Sequence, residues 1–417
     1  MNIEKTNTLV PTPKWQIAIF YLSSFIAFII HPMYSYSLII YTRVITQSDS
    51  WTGVVFLLIY GPFAIFSLVG GIVSDRYSRK AIIITASLLT AVFVSGVAYM
   101  VHLGSVTQAH FGLLFVFACI YGTLVPFMAT ARISMIGNVL MPAKVGSGAI
   151  IMSIISVIGY GLGPLIAGFT KDSSSWVWLF AVNAFGWFVS ALGFSFITRT
   201  HPQAKSVKES HLQDFVIGVK YVFHHKLLLQ ICLFMSIVAI FVLGPYQTVM
   251  PEFLKQTFSL GEKQRGSFMA VFGAGLLLGG ILATMLRTYR RRGLLLILSC
   301  MFLGFTFTLV SFTASYYPSL LFLFISGCLG GVSNGLVSAT MQEESPDRVK
   351  GRVMSMYTFI LIGMPALGGL LVSMYAEQTS LAQSIIYTGM ISFVLSLVSA
   401  IYSKKLRTNI HQVQSVP

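Results

Sequence analysis

Twelve runs of about twenty apolar residues, separated by short polar stretches, constrain this chain more than any other feature of it. They fall near 15–41, 52–74, 81–103, 110–132, 146–169 and 176–198, then 228–252, 266–287, 293–315, 318–341, 352–375 and 382–402. A helix needs about 20 mostly apolar residues to cross the hydrocarbon core of a bilayer. Barrel strands alternate apolar and polar residues over about 10 positions, and these runs do not alternate. Only 9% of the residues are charged, against about 25% in a soluble domain. The fold expected is an all-α integral membrane protein of twelve transmembrane helices in two pseudo-symmetric six-helix bundles.

Charge sets the orientation. With the N-terminus in the cytoplasm, all of the 27 Lys and Arg fall on inner segments except Arg43, Lys171, Lys255, Lys263 and Arg265. That is the positive-inside bias, so both termini are expected to be cytoplasmic. The expected division is a tail at 1–14, a bundle at 15–198, a linker at 199–227, a second bundle at 228–402 and a tail at 403–417. Within the linker, "LQDFVIGVKYVFHHK" sets Phe215, Val219 and Val222 at helical spacing opposite cations, which predicts an amphipathic helix on the inner leaflet. The net charge of +15 is scattered between apolar runs, a topology signal and not the stripe of a nucleic-acid binder. Residues 1–14 are polar, and the run after Trp15 is too long for a secretory h-region, so it is taken as the first span.

The chemistry of the chain points away from catalysis. The four cysteines lie inside apolar runs without metal-like spacing, so no metal is expected and they serve as small apolar groups. No phosphate-binding G-x-x-x-x-G-K-[ST], no G-x-S-x-G and no H-E-x-x-H occurs. Neither an enzyme nor a self-contained ATP pump is expected, and no cofactor.

The halves resemble one another. "GGIVSDRYSRKAIIITASLL" after span 2 is echoed by "GGILATMLRTYRRRGLLLILS" after span 8, and "GPLIAG" in span 5 by "MPALGG" in span 11. Such repeats build secondary transporters with a site between the halves. The first stretch also resembles the loop signature of the major facilitator superfamily, G-x-x-x-D-R-x-G-R-[RK]. Gly71, Asp75, Arg76, Arg79 and Lys80 match it, and Ser78 stands where a glycine is usual. "GYGLGPLIAG" is similar to that superfamily's span 5 antiporter signature through Gly159, Gly163, Pro164 and Gly168, with Ala167 for one glycine. "FGAG" and "MQEESPDRVKGRVMS" resemble the branch of enterobactin exporters and macrolide-efflux proteins.

The resemblance implies a multi-pass transporter of the bacterial inner membrane, a monomer that exports a small molecule, with proton antiport and alternating access. Siderophore-like metabolites and macrolide-like drugs are the substrate classes it suggests. A nutrient importer on the same fold is the alternative, and a non-transporting receptor or enzyme the alternative of another class. It also implies a latch: Asp75 meeting the start of span 11, where Lys350 and Arg352 lie, with Arg132 nearby. A carboxylate gains about 0.3–1 kcal/mol at a helix N-terminus, up to ~2 when partly buried.

In this fold spans 1, 4, 7 and 10 line the cavity. That makes His31, Tyr34, Tyr246, Gln247, Asn334, Ser338 and Gln342 candidates to face cargo, or alternatively to brace helices. No acid lies mid-span. The proton candidates are therefore His31, whose side chain has an unperturbed pKa of about 6.5, and Glu252 at the outer mouth. A neutral His31 bonded to a backbone carbonyl freed by Pro32 is the competing reading.

Overall fold

A computed structural model describes residues 12–403, apart from 109, 199–210, 290 and 314, and residue 406; Asp75, residues 211–214, Asp347 and Arg348 are described in backbone only. Twelve of its helices are long and apolar enough to cross a bilayer, and each overlaps one of the twelve apolar runs. The first six are α1 (Lys14–Thr46), α2 (Asp49–Arg76), α3 (Arg79–His102), α4 (Gly112–Val139), α5 (Val145–Ser173) and α6 (Trp176–Ser195). The expected linker helix is α7 (His211–His224). The last five spans are α11 (Glu262–Leu286), α12 (Arg292–Phe312), α13 (Tyr316–Glu344), α14 (Asp347–Gln378) and α15 (Leu381–Tyr402).

The seventh run departs from the single span expected over 228–252. It is built from α8 (Lys226–Val238), a π turn (Ala239–Leu243), α9 (Gly244–Thr248) and α10 (Met250–Phe258). Pro245 explains the break, because it has no N–H to give the carbonyl four residues back and its ring crowds that carbonyl. The wider π turn takes up the misfit, as such turns do near functional sites.

Several boundaries are written locally. Ser48, Ser78 and Ser380 cap α2, α3 and α15 by accepting from Trp51, Ala81 and Gln383 backbone N–H groups. Ser78 is thus the start signal of α3, which gives a physical reason for a serine where the superfamily signature has glycine.

Helix α1 begins, and α2 ends, at the face carrying most of the Lys and Arg, here the basic face; the opposite one is the far face. Trp187, Tyr121, Phe180 and Phe194 are fully buried in the first bundle, and Phe234, Phe268, Phe272 and Phe307 in the second. Helix α7 corrects the expectation of a helix lying flat on lipid. Its Phe215 ring packs 5.5 Å from that of Phe359 on α14, and Val222 is fully buried. A Cβ on Gly218 would stand 2.4 Å from the Arg352 carbonyl oxygen of α14. The apolar face is therefore spent on protein, and Val216, Ile217 and Phe223 are left exposed.

Candidate functional site

Polar groups carried by the apolar runs meet near mid-span. His31 of α1 pairs through Nδ1 with the Tyr121 hydroxyl of α4 at 3.0 Å, a tyrosine partner in place of the backbone carbonyl considered for it. Its ring stacks with Tyr121 and meets Tyr60 edge-on, with centroids 5.7 and 5.6 Å away. Tyr34 stacks on Tyr121 at 4.1 Å. One turn beyond His31, Ser35 shares a hydrogen bond of 3.1 Å with the Tyr60 hydroxyl. Gln247 of α9 lies near that same hydroxyl from the other bundle. Ser35 and Tyr60 thus form a polar pair within the first bundle, with Gln247 of the second nearby.

The remaining cavity candidates separate. Tyr246 donates its hydroxyl to the Met269 carbonyl at 2.7 Å and packs 4.2 Å from Phe272, bracing α9 on α11. Asn334 accepts from the Tyr357 hydroxyl at 2.6 Å. Ser338 accepts from Gln342 at 3.2 Å, and Gln342 itself lies exposed toward the basic face. Sequence reasoning passed over Tyr60, Tyr121 and Tyr357. The available signal was a tyrosine inside an apolar run, since a buried hydroxyl needs a partner.

The two bundles close on each other at the far face. Glu377, in the last turn of α14, accepts from the Ser48 hydroxyl at 2.9 and 2.7 Å through its two oxygens, and from the Ser50 N–H at 2.6 Å. The carboxylate therefore sits on the unpaired donors and positive pole of the α2 N-terminus. Arg43 and Asp49 form an ion pair of 2.8 Å beside it. On the other flank α5 and α11 nearly touch. A Cβ added to Gly168 would meet the Glu262 carbonyl at 2.5 Å, one on Gly266 the Pro164 carbonyl at 2.4 Å, and one on Gly273 the Gly161 Cα at 2.6 Å. Only glycine allows this spacing. These contacts run from the far face to mid-span. Toward the basic face the same helices present exposed apolar side chains, Ile150 and Ile154 on α5 and Ile281 and Met285 on α11.

A model of the Major Facilitator Superfamily matches residues 17–369. The chain belongs to the major facilitator superfamily. As a member it is a multi-pass membrane transporter and not an enzyme. It is similar to the enterobactin exporter EntS of Shigella flexneri, 24% identical over 357 residues that cover 84% of this chain and 83% of that one. The enterobactin exporter EntS of Escherichia coli O1:K1 / APEC is 23% identical over 84% of each chain. Among solved structures, the nucleoside transporter NupG superposes with a TM-score of 0.77 at 14% identity, covering 93% of this chain and 99% of that one. A D-xylose–proton symporter superposes with 0.70 at 15%, covering 95% and 98%. At those identities the likeness is one of fold.

The superfamily's own motifs can now be placed. In the last turns of α2, Gly71 is half-buried and Arg76 exposed. Arg79 donates through Nη1 to the Ser134 carbonyl at 2.8 Å and to Asn138 Oδ1 at 2.6 Å, and Lys80 to the Ser195 carbonyl at 2.8 Å. Both cations thus serve the C-terminal ends of α4 and α6, where a positive charge is favoured, within their own bundle. The side chain of Asp75 lies outside the described ones. Lys350 and Arg352 are half-buried in the first turns of α14. Arg132 is placed away from the loop: its guanidinium lies over the rings of Phe28 and Phe194 at 5.5 and 5.6 Å.

The span 5 signature divides its faces. A Cβ on Gly159 would meet Phe28 at 2.7 Å, and one on Gly163 would meet Pro32 at 2.6 Å, so both glycines pack α5 on α1. Pro164 and Gly168 face α11. Glu252 on α10 accepts from Gln256 at 3.2 Å and lies 3.7 Å from Lys255.

Proposed function

We propose that this transporter exports a small amphiphilic or metal-chelating molecule across the bacterial inner membrane by alternating access, with the basic face in the cytoplasm. The observation that carries the reading is the asymmetry of the contact between halves. The far face is held by Glu377 on the α2 N-terminus and by the glycine-packed α5–α11 pair, while toward the basic face α5 and α11 carry exposed side chains. With the basic face inside, as the distribution of Lys and Arg favours, this geometry receives cargo from the cytoplasm. Export is favoured further by the relatives named as enterobactin exporters and by the span 5 signature. A siderophore-like metabolite is the first candidate cargo and a macrolide-like drug the second.

Helices α2 and α14 run in opposite directions, and each ends in an acid. Glu377 closes the far face on the start of α2; in this proposal Asp75 closes the basic face on the start of α14 when the bundles rock the other way. His31, paired with Tyr121, is the proposed proton site, since no carboxylate lies mid-span and Glu252 sits beside Lys255. The test is deletion of the gene followed by mass spectrometry of cell contents. A small chelating metabolite retained by the mutant and released on complementation is the expected result. A compound that loaded wild-type cells accumulate and mutants do not would make the protein an importer.

A further inference from the structure

The membrane-embedded interior of this protein is charged with one sign only. All twelve Asp and Glu of the chain lie in connections, in the tail or linker, or near helix ends. The ion pairs among the described residues follow that pattern: Arg43–Asp49, Lys255–Glu252 and Arg265–Glu262 toward the far face, and Arg287 and Arg292 with Glu343 at the basic one. Arg132 stands apart from all of them. It lies seven residues inside the basic end of α4, about 10 Å along the helix axis. It is 3% exposed, and its Nε and Nη2 atoms have no hydrogen-bond partner. The faces of Phe28 and Phe194 hold the guanidinium. Two aromatic faces offset only part of the cost of taking such an ion out of water, and a guanidinium keeps its proton in proteins. Among the described side chains none supplies a counter-charge.

The surroundings say what kind of group would supply it. The Phe28 ring under the Arg132 guanidinium belongs to α1 one turn before His31, so Arg132 lies on the basic side of the ring cluster of His31, Tyr34, Tyr60 and Tyr121. Phe63 adds a further ring 5.7 Å from that of His31. This is an aromatic platform edged with hydroxyl and imidazole hydrogen-bonding groups. Phe28, half-buried between Arg132 and Gly159 of α5, is the side chain that must turn to admit a ligand to the guanidinium. We infer that the cargo is an aromatic acid, or carries one: its anionic group pairs with Arg132 and its ring stacks within the His31–Tyr121 cluster. This assignment rests on the transporter reading and adds the charge and class of the substrate. The planar fork of arginine suits a carboxylate better than a point charge would.

The experiment is calorimetric titration of the full-length protein in detergent with salicylate and with salicylamide, which differ in charge and little else. Salicylate should bind at least about tenfold more tightly than salicylamide, the minimum expected when a buried charge finds its partner. Arg132→Gln should erase that preference, and Arg132→Lys should keep part of it. Equal affinity for the two probes in the wild type, or an unchanged preference in Arg132→Gln, overturns the inference. Thermal unfolding of each variant reports its folding, and if Arg132→Gln does not fold, the lysine variant decides: a preference as strong as wild type there would deny the fork its role. Chloride at equal concentration is the remaining control. If it displaces salicylate fully, the site is a general anion well and the aromatic assignment fails. Retention of a neutral compound by the deletion strain would leave the exporter standing and refute this inference. Retention of nothing would refute the exporter and leave the probe preference to judge Arg132 on its own.

Discussion

His31 shows what a single side chain can carry here. It is bonded to a phenol hydroxyl and packed among rings, so gaining a proton would place a second positive charge near Arg132. That charge must be expelled, or balanced by cargo, before the cycle continues, which is the behaviour expected of a coupling site. In proteoliposomes under an imposed pH gradient, His31→Gln should abolish gradient-driven movement of the retained metabolite while only weakening downhill exchange, since it removes the titrating group together with one ring of the cluster. Full gradient-driven flux in the variant would return His31 to a structural role. The residue stood out in the sequence, because a histidine beside a proline inside an apolar run is conspicuous. Its partner was not: Tyr121 lies 90 positions away, and a single sequence gives no sign of which run faces which. Arg132 was misplaced for a related reason. Near the inner end of an apolar run, a cation that snorkels to the interface and one that turns inward look the same in the sequence.

Among the elements, the glycines of α5 and α11 separate two jobs that one motif had merged. The spacing made it legible that α5 packs closely against something. That Gly159 and Gly163 address α1 while Gly168 addresses α11 depends on how the helix is rotated in the bundle. Gly266→Leu would drive a side chain into the Pro164 carbonyl and leave α1 untouched. Overpacking of this kind costs about 1–3 kcal/mol, here charged to the far-closed state alone. The expected result is faster labelling of a cysteine introduced at Tyr36 by a membrane-impermeant maleimide from the far side, with assembly retained. Unchanged labelling would mean that this contact does not hold the gate.

Helix α7 makes a second test. Its amphipathicity was legible, but periodicity cannot tell a face turned to lipid from one turned to protein. Gly218→Leu should detach it from Arg352 and speed proteolysis between α6 and α8 severalfold, since exposure to protease follows the population of the opened form.

For the whole molecule, twelve spans and two halves were legible because length and hydropathy dictate them. Which faces meet, and at which end, were not legible, since the resting position of two rigid bundles is a balance of a few contacts. Glu377 is one of those contacts. At an exposed site such as this, a carboxylate accepting from a helix N-terminus contributes about 0.3–1 kcal/mol, enough to shift a two-state ratio by a factor of about 2–5. Glu377→Gln keeps the shape and removes the charge, so it should move the population toward the far-open state. Asp75→Asn, by the proposed mirror role, should move it toward the far-closed state, and the double variant should return near the wild-type ratio. Spin labels at Trp178 and Lys263 report the far face, and labels at Tyr77 and Tyr289 the basic face, once the four native cysteines are replaced. Rocking requires the two distance distributions to change in opposite senses in each single variant. If both pairs lengthen together, or if the double variant is more displaced than either single one, then α2 and α14 do not carry opposed latches and the bundles exchange access by some other motion.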